Sequence, residues 1–255
     1  LNEAKKYCHV DVVCDQSNEG YNGILPQSQW GDFSDHAYLY TVDNETVQGL
    51  EFNFVPESGD TPLVSDMSSN LLSRTIDISR YGLIFACAQK NLGPAGVTVV
   101  IIRDDLLERG MFPGTPRMFN YKEHVLSKSM LNTSPTYPWY MVSLVLKWVK
   151  SQGGVDAMEH LNQVKSSKLY QYIDSTEFYS NTIAPDSRSR MNVVFSLHDE
   201  ALQDAFLTES KQHGLINLKG HRSVGGMRAS IYNAMPEAGV DALIAFMRHF
   251  ADNHS

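Results

Sequence analysis

Cysteine is scarce in this chain, and long apolar runs are lacking. Only three cysteines, Cys8, Cys14 and Cys87, occur in 255 residues. An odd, sparse set is unlike the dense, even count of a secreted disulfide scaffold, so we expect reduced thiols. No stretch reaches the roughly 20 apolar residues that a membrane-spanning helix needs, and the first residues lack the apolar core of a signal peptide. These features predict a cytoplasmic protein without a membrane partner.

Positive charge is also in short supply. Lysine and arginine total 21 against 29 for aspartate and glutamate, which gives a net charge of -8. Such a balance disfavours nucleic acid as a partner, and any bound anion must meet a local cationic pocket. The spacing of Cys8, His9 and Cys14 fits no common pair of zinc ligands, so we expect no metal site. The 42% apolar composition is sufficient for a sizeable core.

The first part of the chain is predicted to begin with the end of a helix, over Leu1–Tyr7, and its short apolar runs separated by polar turns predict strands. These runs cover residues 37–42, 49–55, 63–65, 83–86 and 97–102. The segments between them can form helical turns, a pattern typical of an α/β layer with a mostly buried sheet. The turn over Gly93–Gly96 is too short for a helical crossover. The strands beside it should therefore form an antiparallel hairpin, which makes the sheet mixed.

Helical patterns dominate the second part. Pro138 can begin a helix whose apolar residues, Trp139, Val142, Leu146 and Val149, recur at helical spacing and which ends at Gly153-Gly154. Further helices are predicted over 155–173, 201–213 and 237–251, with strands over 192–197, 216–218 and 227–232. This order indicates a compact α+β unit. We place the domain boundary at the glycine pair, which gives a larger domain over 1–152 and a smaller one over 153–255.

Lys90 is the most informative single residue. It lies between an apolar strand and a glycine-proline turn, in the stretch Ala86–Gly96. Such a lysine has little freedom and is partly desolvated, and desolvation lowers the pKa of an ammonium group and frees a nucleophilic amine. An amine that forms a Schiff base needs these properties. A strand-end lysine that points into water is the alternative.

Asp66 strengthens the first interpretation. It ends the apolar run Leu63–Ser65, so it should lie at the carboxyl end of a buried strand, where open α/β sheets bind their ligands. Pyridoxal phosphate would supply a cationic partner there, because its ring nitrogen stays protonated beside a carboxylate. The alternative is a helix N-cap, since Met67-Ser68-Ser69 follows.

A second cluster lies in Gly220–Arg228. Here His221, Arg222 and Arg228 stand among three glycines, and forked guanidinium donors on such a backbone suit a carboxylate or a phosphate. The lysine and Ser/Thr that end a nucleotide-binding phosphate loop are missing, so nucleotide binding is rejected. A surface loop with solvated arginines is the alternative.

Four stretches, taken together, resemble the phosphoserine aminotransferase family of class V pyridoxal-phosphate enzymes. They are Ser65–Ser69, Ala88–Gly96, Asn132-Thr133 and Lys219–Ser230. The resemblance implies the fold type I architecture, with a mixed, mostly parallel sheet of the seven-stranded type, incomplete here, and a smaller C-terminal α+β domain. It further implies a homodimer that exchanges an amino group between phosphoserine and 2-oxoglutarate. The products are 3-phosphohydroxypyruvate and glutamate, and the physiological direction makes phosphoserine for serine biosynthesis.

The resemblance also implies roles for individual residues. Lys90 would form the Schiff base and move the proton between the substrate Cα and the cofactor, while Asp66 would pair with the pyridine nitrogen. The remaining residues fall into two groups by ligand. Cofactor contacts are implied for Thr46, Gln89, Asn132 and Thr133, the last two reaching the cofactor phosphate of the other subunit. Substrate contacts are implied for Arg228, with the α-carboxylate, and for His221 and Arg222, from the dimer partner.

The sequence departs from the family at its start. The family has a segment ahead of the residues that match Leu1, with a glycine-arginine phosphate loop, a tryptophan that stacks on the ring and a substrate arginine. None of these is found here, so we expect a missing N-terminal segment, weak cofactor binding and little turnover by the 255 residues alone.

Two alternatives to the leading interpretation remain open. One is an impaired fragment of such an enzyme that acts only through its dimer surface. The other is a different class V enzyme, such as a serine-glyoxylate aminotransferase or a cysteine desulfurase. Cys87 lies three residues before Lys90, whereas the reactive cysteine of a desulfurase is expected on a mobile loop, which disfavours the desulfurase.

Overall fold

The computed structural model describes residues 1–254. Nine strands and six α-helices follow one another in this range. In chain order they are β1 (Leu39–Val42), β2 (Asn44–Glu45), β3 (Leu50–Glu51), β4 (Leu63–Asp66), β5 (Leu83–Cys87), β6 (Thr98–Ile102), α1 (Asp104–Leu107), α2 (Tyr121–Leu126), α3 (Thr136–Ser151), α4 (Gly154–Asp174), β7 (Tyr179–Ser180), β8 (Asn192–Leu197), α5 (Gln203–Gln212), β9 (Met227–Ser230) and α6 (Glu237–His254). Short 3-10 turns lie between them.

The first sheet has four strands in the order β1-β4-β5-β6. β1 and β4 are parallel, as are β4 and β5, whereas β6 returns antiparallel to β5. The hairpin predicted around Gly93–Gly96 is thus confirmed, with Cys87 paired to Thr98. The carboxyl ends of the three parallel strands meet at one edge. Any residue just beyond those ends is therefore brought to the same place.

One face of this sheet packs on the first apolar core. Leu63, Ile84 and Ala86 are each at most 1% exposed, and Leu39 joins them from β1. The opposite face is more open, because Tyr40 and Val42 alternate with buried neighbours and stay exposed. A strand with one buried and one open face explains the alternating pattern of β1.

The second sheet is antiparallel, in the order β7-β8-β9, and is covered by α4, α5 and α6. α6 contributes Val240, Leu243, Met247 and Phe250 at helical spacing to this second core. The first core draws on residues 39–142 and the second on residues 169–250. This separation supports the division at 152/153, which we retain as a proposal.

A buried ionic network joins the two parts. Arg74 Nη2 lies 2.8 Å from Asp43 Oδ2, and Arg190 Nη2 lies 2.8 Å from Glu51 Oε1. The Arg190 backbone N–H also donates to Glu51 Oε2 at 2.8 Å. Burial raises the pKa of Asp43, while Arg74 opposes that rise. Charges this deep are stable only when they are paired, so the network fixes the β2–β3 hairpin against the start of β8.

Four sequence-based predictions were wrong in their details. Residues 216–218 form no strand, because only Lys219 bridges to Met227. The strand predicted over 49–55 is reduced to β3, since Phe52 and the residues after it leave the short hairpin. Residues 1–7 contain one 3-10 turn rather than the end of an α-helix. The helix predicted from residue 201 starts with a 3-10 turn, and its α-helical part begins at Gln203.

α3 buries only half of the stripe that the sequence suggested. Val142 and Val149 are buried, whereas Trp139 is 42% and Leu146 45% exposed. The two buried residues face the rest of the chain. The exposed ones lie on an uncovered side of the helix.

No helix within residues 1–254 is both long and apolar enough to cross a membrane. The same part of the chain contains no group of three or more His, Cys, Asp or Glu residues arranged to hold a metal ion.

Candidate active site

Three of the predicted site residues follow the carboxyl ends of parallel strands. Thr46 comes just after β1 and β2, Asp66 ends β4, and Lys90 follows β5. Because these strands are neighbours in one sheet, their ends bring the three side chains to a common edge. This is the edge at which open α/β sheets bind ligands.

Lys90 is held at this edge in a half-buried position. Its ammonium donates to the Thr46 hydroxyl, with Nζ and Oγ1 2.5 Å apart. Burial lowers the pKa of Lys90, and the positive charge of Arg228 lowers it further, whereas Asp66 and Glu45 oppose the shift. The side chain is therefore fixed, close to charged neighbours, and easier to deprotonate than an ordinary lysine. It does not simply point into water.

Asp66 combines the two interpretations that its sequence position allowed. Its Oδ1 accepts from the Ser68 backbone N–H at 2.8 Å, so it does cap the turn that follows β4. Its charge is also near enough to Lys90 to raise the pKa of that amine. The cap engages Oδ1 and holds the carboxylate in place, so Oδ2 remains for a ligand.

Arg228 reaches the same place from the second sheet. It lies on β9, and its Nη1 donates to the Thr46 carbonyl at 3.3 Å. No carboxylate among residues 1–254 forms a salt bridge with it, although the chain is acidic. A half-buried guanidinium with free donors is suited to an anionic ligand.

The loop between residues 219 and 227 presents His221 and Arg222 to solvent. His221 Nδ1 lies 2.7 Å from Ser223 Oγ, and neither side chain contacts the Lys90 group. The loop closes through a bond from the Gly220 N–H to the Gly226 carbonyl, at 2.9 Å. Gly226 has φ +59°, and a Cβ on it would lie 2.8 Å from the Phe195 carbonyl oxygen. The glycines are thus needed for the shape of this loop.

The remaining predicted residues also lie outside the group. Gln89 is exposed in the turn beside Lys90, and Asn132 and Thr133 are exposed in the segment before α3. The only side-chain bond within that pair runs from Asn132 Nδ2 to the Thr133 carbonyl, at 3.2 Å. One chain therefore assembles four of the nine predicted residues, namely Thr46, Asp66, Lys90 and Arg228.

Sequence reasoning missed two contributors to the site. Glu45 accepts the backbone N–H groups of Val47 and Gln48, at 2.9 and 2.6 Å, and its charge acts on Lys90. Asn91 is buried directly after the lysine and bonds to Asn233, 142 residues away. The position of Glu45 beside Thr46 could have drawn attention to it. No local pattern indicates a contact as distant as that of Asn233.

Comparison with known proteins identifies the family of this chain. The family model described as aminotransferase class-V matches residues 3–243. The phosphoserine aminotransferase of Coxiella burnetii is 54% identical over 254 residues, which is 100% of this chain and 70% of that protein. The solved phosphoserine aminotransferase of Bacillus circulans subsp. alkalophilus superposes with a TM-score of 0.97 at 42% identity, covering 100% of this chain and 71% of that one. Another solved phosphoserine aminotransferase, studied for radiation damage of its Schiff base, gives a TM-score of 0.95 at 40% identity, covering 99% and 70%.

A lysine and a carboxylate at the edge of a mixed, mostly parallel sheet, with this family match, define a pyridoxal-phosphate-dependent class V aminotransferase of fold type I. Within that class, the chain belongs to the phosphoserine aminotransferase family. It spans about 70% of the length of the relatives that it matches. The predicted fold class and family are thereby confirmed.

The residues at the site fit this cofactor. An amine of lowered pKa, a carboxylate, a hydroxyl and an unpaired guanidinium are gathered at one sheet edge. These are the groups that an aldehyde, a ring nitrogen, a ring substituent and an anionic substrate would need.

Proposed function

We propose that the protein exchanges an amino group between phosphoserine and 2-oxoglutarate, with 3-phosphohydroxypyruvate and glutamate as products, in serine biosynthesis. The observation that carries the proposal is the contact of Lys90 with Thr46 beside Asp66 and Arg228. The names of the matched relatives support this choice of substrates. When bound, pyridoxal phosphate supplies an aldehyde and a ring that withdraws electrons from the substrate Cα.

Lys90 is the residue that we propose to bond to the cofactor and to carry a proton. A free amine is needed for both tasks, and burial lowers the pKa of Lys90 in that direction. Once released, the Nζ stays at the sheet edge because Thr46 can accept from it. The Lys90 Nζ would take a proton from the substrate Cα and pass it to the cofactor, which is general acid–base catalysis.

Asp66 and Thr46 would orient the cofactor. Asp66 is proposed to accept a hydrogen bond from the ring nitrogen and so keep that nitrogen protonated, because a carboxylate favours the charged form of a neighbouring base. Its turn with Ser68 holds it in place for this role. The Thr46 hydroxyl is proposed to bind the ring substituent or the phosphate, and Gln89, in the turn beside Lys90, the phosphate region.

We propose that cationic side chains bind the substrate. Arg228 is proposed to hold the α-carboxylate, because its guanidinium lies next to Thr46 and lacks an acidic partner within residues 1–254. His221 and Arg222 are proposed to meet the phosphate or the side-chain carboxylate. Since both are exposed to solvent in their own chain, we propose that they serve the site of a second chain.

The imine with Lys90 can be tested by absorption spectroscopy. Addition of pyridoxal phosphate to the purified chain should produce a visible imine band, and Lys90→Ala should abolish it. Lys211→Ala, which removes an exposed lysine at the end of α5, is the control and should keep the band. An equal band in the Lys90→Ala variant would refute the role of Lys90.

The substrate can be tested against the closest alternative. Phosphoserine with 2-oxoglutarate should be consumed, whereas serine with glyoxylate should react far more slowly, because the phosphate would lose its cationic partners. Arg222→Ala should weaken the first reaction through the KM for phosphoserine. A preference for serine and glyoxylate would instead favour a serine-glyoxylate aminotransferase.

We propose that the protein is a homodimer. The support is a surface of exposed apolar side chains in residues 111–146, on both sides of Asn132 and Thr133. Its large members are Met111, Phe112, Met118, Phe119, Tyr121, Val125, Leu126, Met130, Tyr137, Trp139, Tyr140, Leu144 and Leu146. So many exposed apolar side chains in one segment are expected to be covered by a partner. The two polar residues within it would then reach the partner's cofactor phosphate.

The shared site makes a specific prediction about mixtures. Lys90→Ala and the double variant Asn132→Ala with Thr133→Ala should each be inactive alone. If every site takes Lys90 from one chain and Asn132 from the other, equal mixing after mild dissociation should restore about a quarter of the parent activity, because half of the dimers carry one intact site. No recovery, despite mixed dimers detected by mass, would refute the shared site.

We also propose a cytoplasmic location. The three cysteines of the chain are all free in the structure, which suits a reducing compartment. Cell fractionation with an antibody against the chain tests this, and enrichment in a secreted fraction would contradict it.

A further inference from the structure

Three buried asparagines form a chain of side-chain bonds behind the candidate site. Asn91, Asn162 and Asn233 are 6%, 0% and 2% exposed. They come from three distant parts of the sequence, namely the turn after β5, the middle of α4 and the segment between β9 and α6. Buried amides require partners, so their bonds fix how these three segments meet.

Asn91 ties the turn of Lys90 to two other segments. Its Nδ2 donates to the Leu71 carbonyl at 3.2 Å, and its Oδ1 accepts from the Asn233 backbone N–H at 3.1 Å. Leu71 belongs to the turn that follows Asp66. The residue next to the amine is therefore bonded both to the chain beyond the carboxylate and to the chain beyond Arg228.

Asn233 links Asn91 to Asn162. Its Nδ2 donates to the Leu72 carbonyl at 2.8 Å, and its Oδ1 accepts from Asn162 Nδ2 at 2.8 Å. Asn162 Nδ2 lies 3.1 Å from the Ser73 carbonyl. Three successive carbonyls, those of Leu71, Leu72 and Ser73, thus accept from the three asparagines.

Lys165 holds the segment that carries Asn233. It is 0% exposed, and its Nζ donates to the carbonyls of Ile231, Tyr232 and Met235 at 3.0, 2.9 and 3.0 Å. These carbonyls lie on both sides of Asn233. The backbone N–H of Asn233 is therefore presented to Asn91 by a braced segment.

We propose that Asn91 and Asn233 are positioning residues that hold the turns of Lys90, Asp66 and Arg228 in one fixed relation. The inference rests on the proposed function, since it takes those three residues as the ones that meet cofactor and substrate. Directional bonds in a buried, low-dielectric place are costly to break, so they resist the sliding of one turn past another. Small displacements at a reacting amine have large effects on its environment.

The test measures the amine without the cofactor. Competitive labelling of the apoprotein with acetic anhydride over a range of pH, read by mass spectrometry of the peptide that contains residue 90, gives the pKa of Lys90. Asn233→Ala should raise this pKa by about half a unit, which lowers the free-amine fraction at pH 8 about threefold. The reason is that a loosened turn lets water reach the Nζ, whose pKa burial now depresses. Asn91→Ala should act in the same direction.

Asn181→Ala is the matched control. Asn181 Nδ2 donates to the Val194 carbonyl at 2.7 Å and its Oδ1 accepts from the Ile183 N–H at 3.0 Å, a similar pair of bonds outside the three segments. It should lose stability and leave the pKa of Lys90 unchanged. Asn162→Ala, which removes only the outer bonds, serves if the other variants do not fold, and it should give a smaller rise.

An unchanged pKa of Lys90 in a folded Asn233→Ala or Asn162→Ala variant would overturn the inference, as would an equal rise in Asn181→Ala. Failure of the proposed function has a different signature. It would appear as a missing imine band in the parent chain, whatever the labelling shows.

Discussion

Two lysines in this protein are removed from water in different ways, and the difference decides what each can do. Lys90 is half-buried and bonds to a single hydroxyl, that of Thr46, so its ammonium is easily released. Lys165 is fully buried and donates to three carbonyls, which use all its donors. Burial lowers the pKa of both groups. Only Lys90 retains access to a ligand.

Replacement of Lys165 by methionine tests its bracing role. Lys165→Met fills the space but leaves three buried carbonyls without a donor, so we expect a loss of about 3 kcal/mol of unfolding free energy. Urea denaturation measures it. Lys168→Met, which removes a partly exposed lysine one turn later on α4, is the control and should cost much less. An equal loss in both variants would contradict the bracing role.

The loss of stability in Lys165→Met should depend on pH. Burial lowers the pKa of Lys165 from 10.5 to about 8. Between these values the unfolded chain binds more protons than the folded one, so this group makes folding more favourable as pH rises. The difference in unfolding free energy between the parent and Lys165→Met should therefore widen from pH 8 to 10, by on the order of 1 to 2 kcal/mol. A difference that narrows would show that the charged form is stabilised by folding.

At the scale of single residues, the sequence indicated those candidates whose setting depends on their immediate neighbours in the chain. Lys90 and Asp66 could be found because each stands at the end of an apolar run, and Arg228 because it lies in a glycine-rich cationic stretch. Asn233 and Lys165 could not be found in this way. Their roles depend on contacts 142 and 66 residues distant in the chain, which only the folded arrangement creates.

Among the elements, the loop over residues 219–227 shows how backbone geometry controls the display of cations. Gly225 and Gly226 both have positive φ, at +81° and +59°. A Cβ at position 225 would meet nothing within 4 Å, whereas one at 226 would press on the Phe195 carbonyl oxygen at 2.8 Å. Both positions therefore require a positive φ, but only position 226 lacks room for a Cβ.

Alanine at each position separates these two effects. Gly225→Ala should cost about 1 kcal/mol for the left-handed conformation alone. Gly226→Ala should cost about 2 kcal/mol or more, because the strand carbonyl must also move. It should in addition raise the KM for phosphoserine if Arg222 binds the phosphate. Thermal unfolding and steady-state kinetics provide the measurements, and equal costs would refute the contact at Phe195.

The sequence predicted elements well where hydrophobic periodicity sets them. β1, β4, β5, β6, α3, α4 and α6 all lie within a few residues of their predicted positions. It failed at residues 216–218, where an apolar pair suggested a strand although Ile216 is 66% exposed. Apolar character in so short a run does not distinguish a strand from a loop. The exposure of Trp139 and Leu146 on α3 could not be predicted either. The spacing of apolar residues does not show whether a helix face is covered by the same chain or by a partner.

For the whole molecule, the ionic network around Glu51 decides whether the two cores unfold together. Glu51 is 3% exposed and accepts from Arg190 of the C-terminal part while Arg74 lies 3.6 Å away. Its removal takes the nearest carboxylate from Arg190 and leaves Arg74 with Asp43 as its remaining carboxylate partner. An interface held in this manner should make unfolding a single transition.

Glu51→Ala should weaken that coupling. We expect a loss of about 3 kcal/mol and a broader or two-step urea transition, because each core can then unfold without the other. Fluorescence and circular dichroism recorded on the same samples would report the two steps. Glu57→Ala removes an ion pair with Arg80 at the surface and should leave one sharp transition. A single urea transition in Glu51→Ala, at the same midpoint by fluorescence and by circular dichroism, would contradict the proposed coupling.

The hairpin of β5 and β6 has a consequence for how this chain can vary. Five residue pairs, from Leu83 with Ile102 to Cys87 with Thr98, lock the two strands in step. Every residue gained or lost between positions 87 and 98 must then be absorbed by the bend that carries the amine. The position of the Lys90 amine therefore depends on the number of residues between β5 and β6. Deletion of one residue from this turn would displace the amine while the sheet stayed intact. Insertions and tags should be better tolerated near Gly20 or Gly59, where an added Cβ would meet nothing within 4 Å.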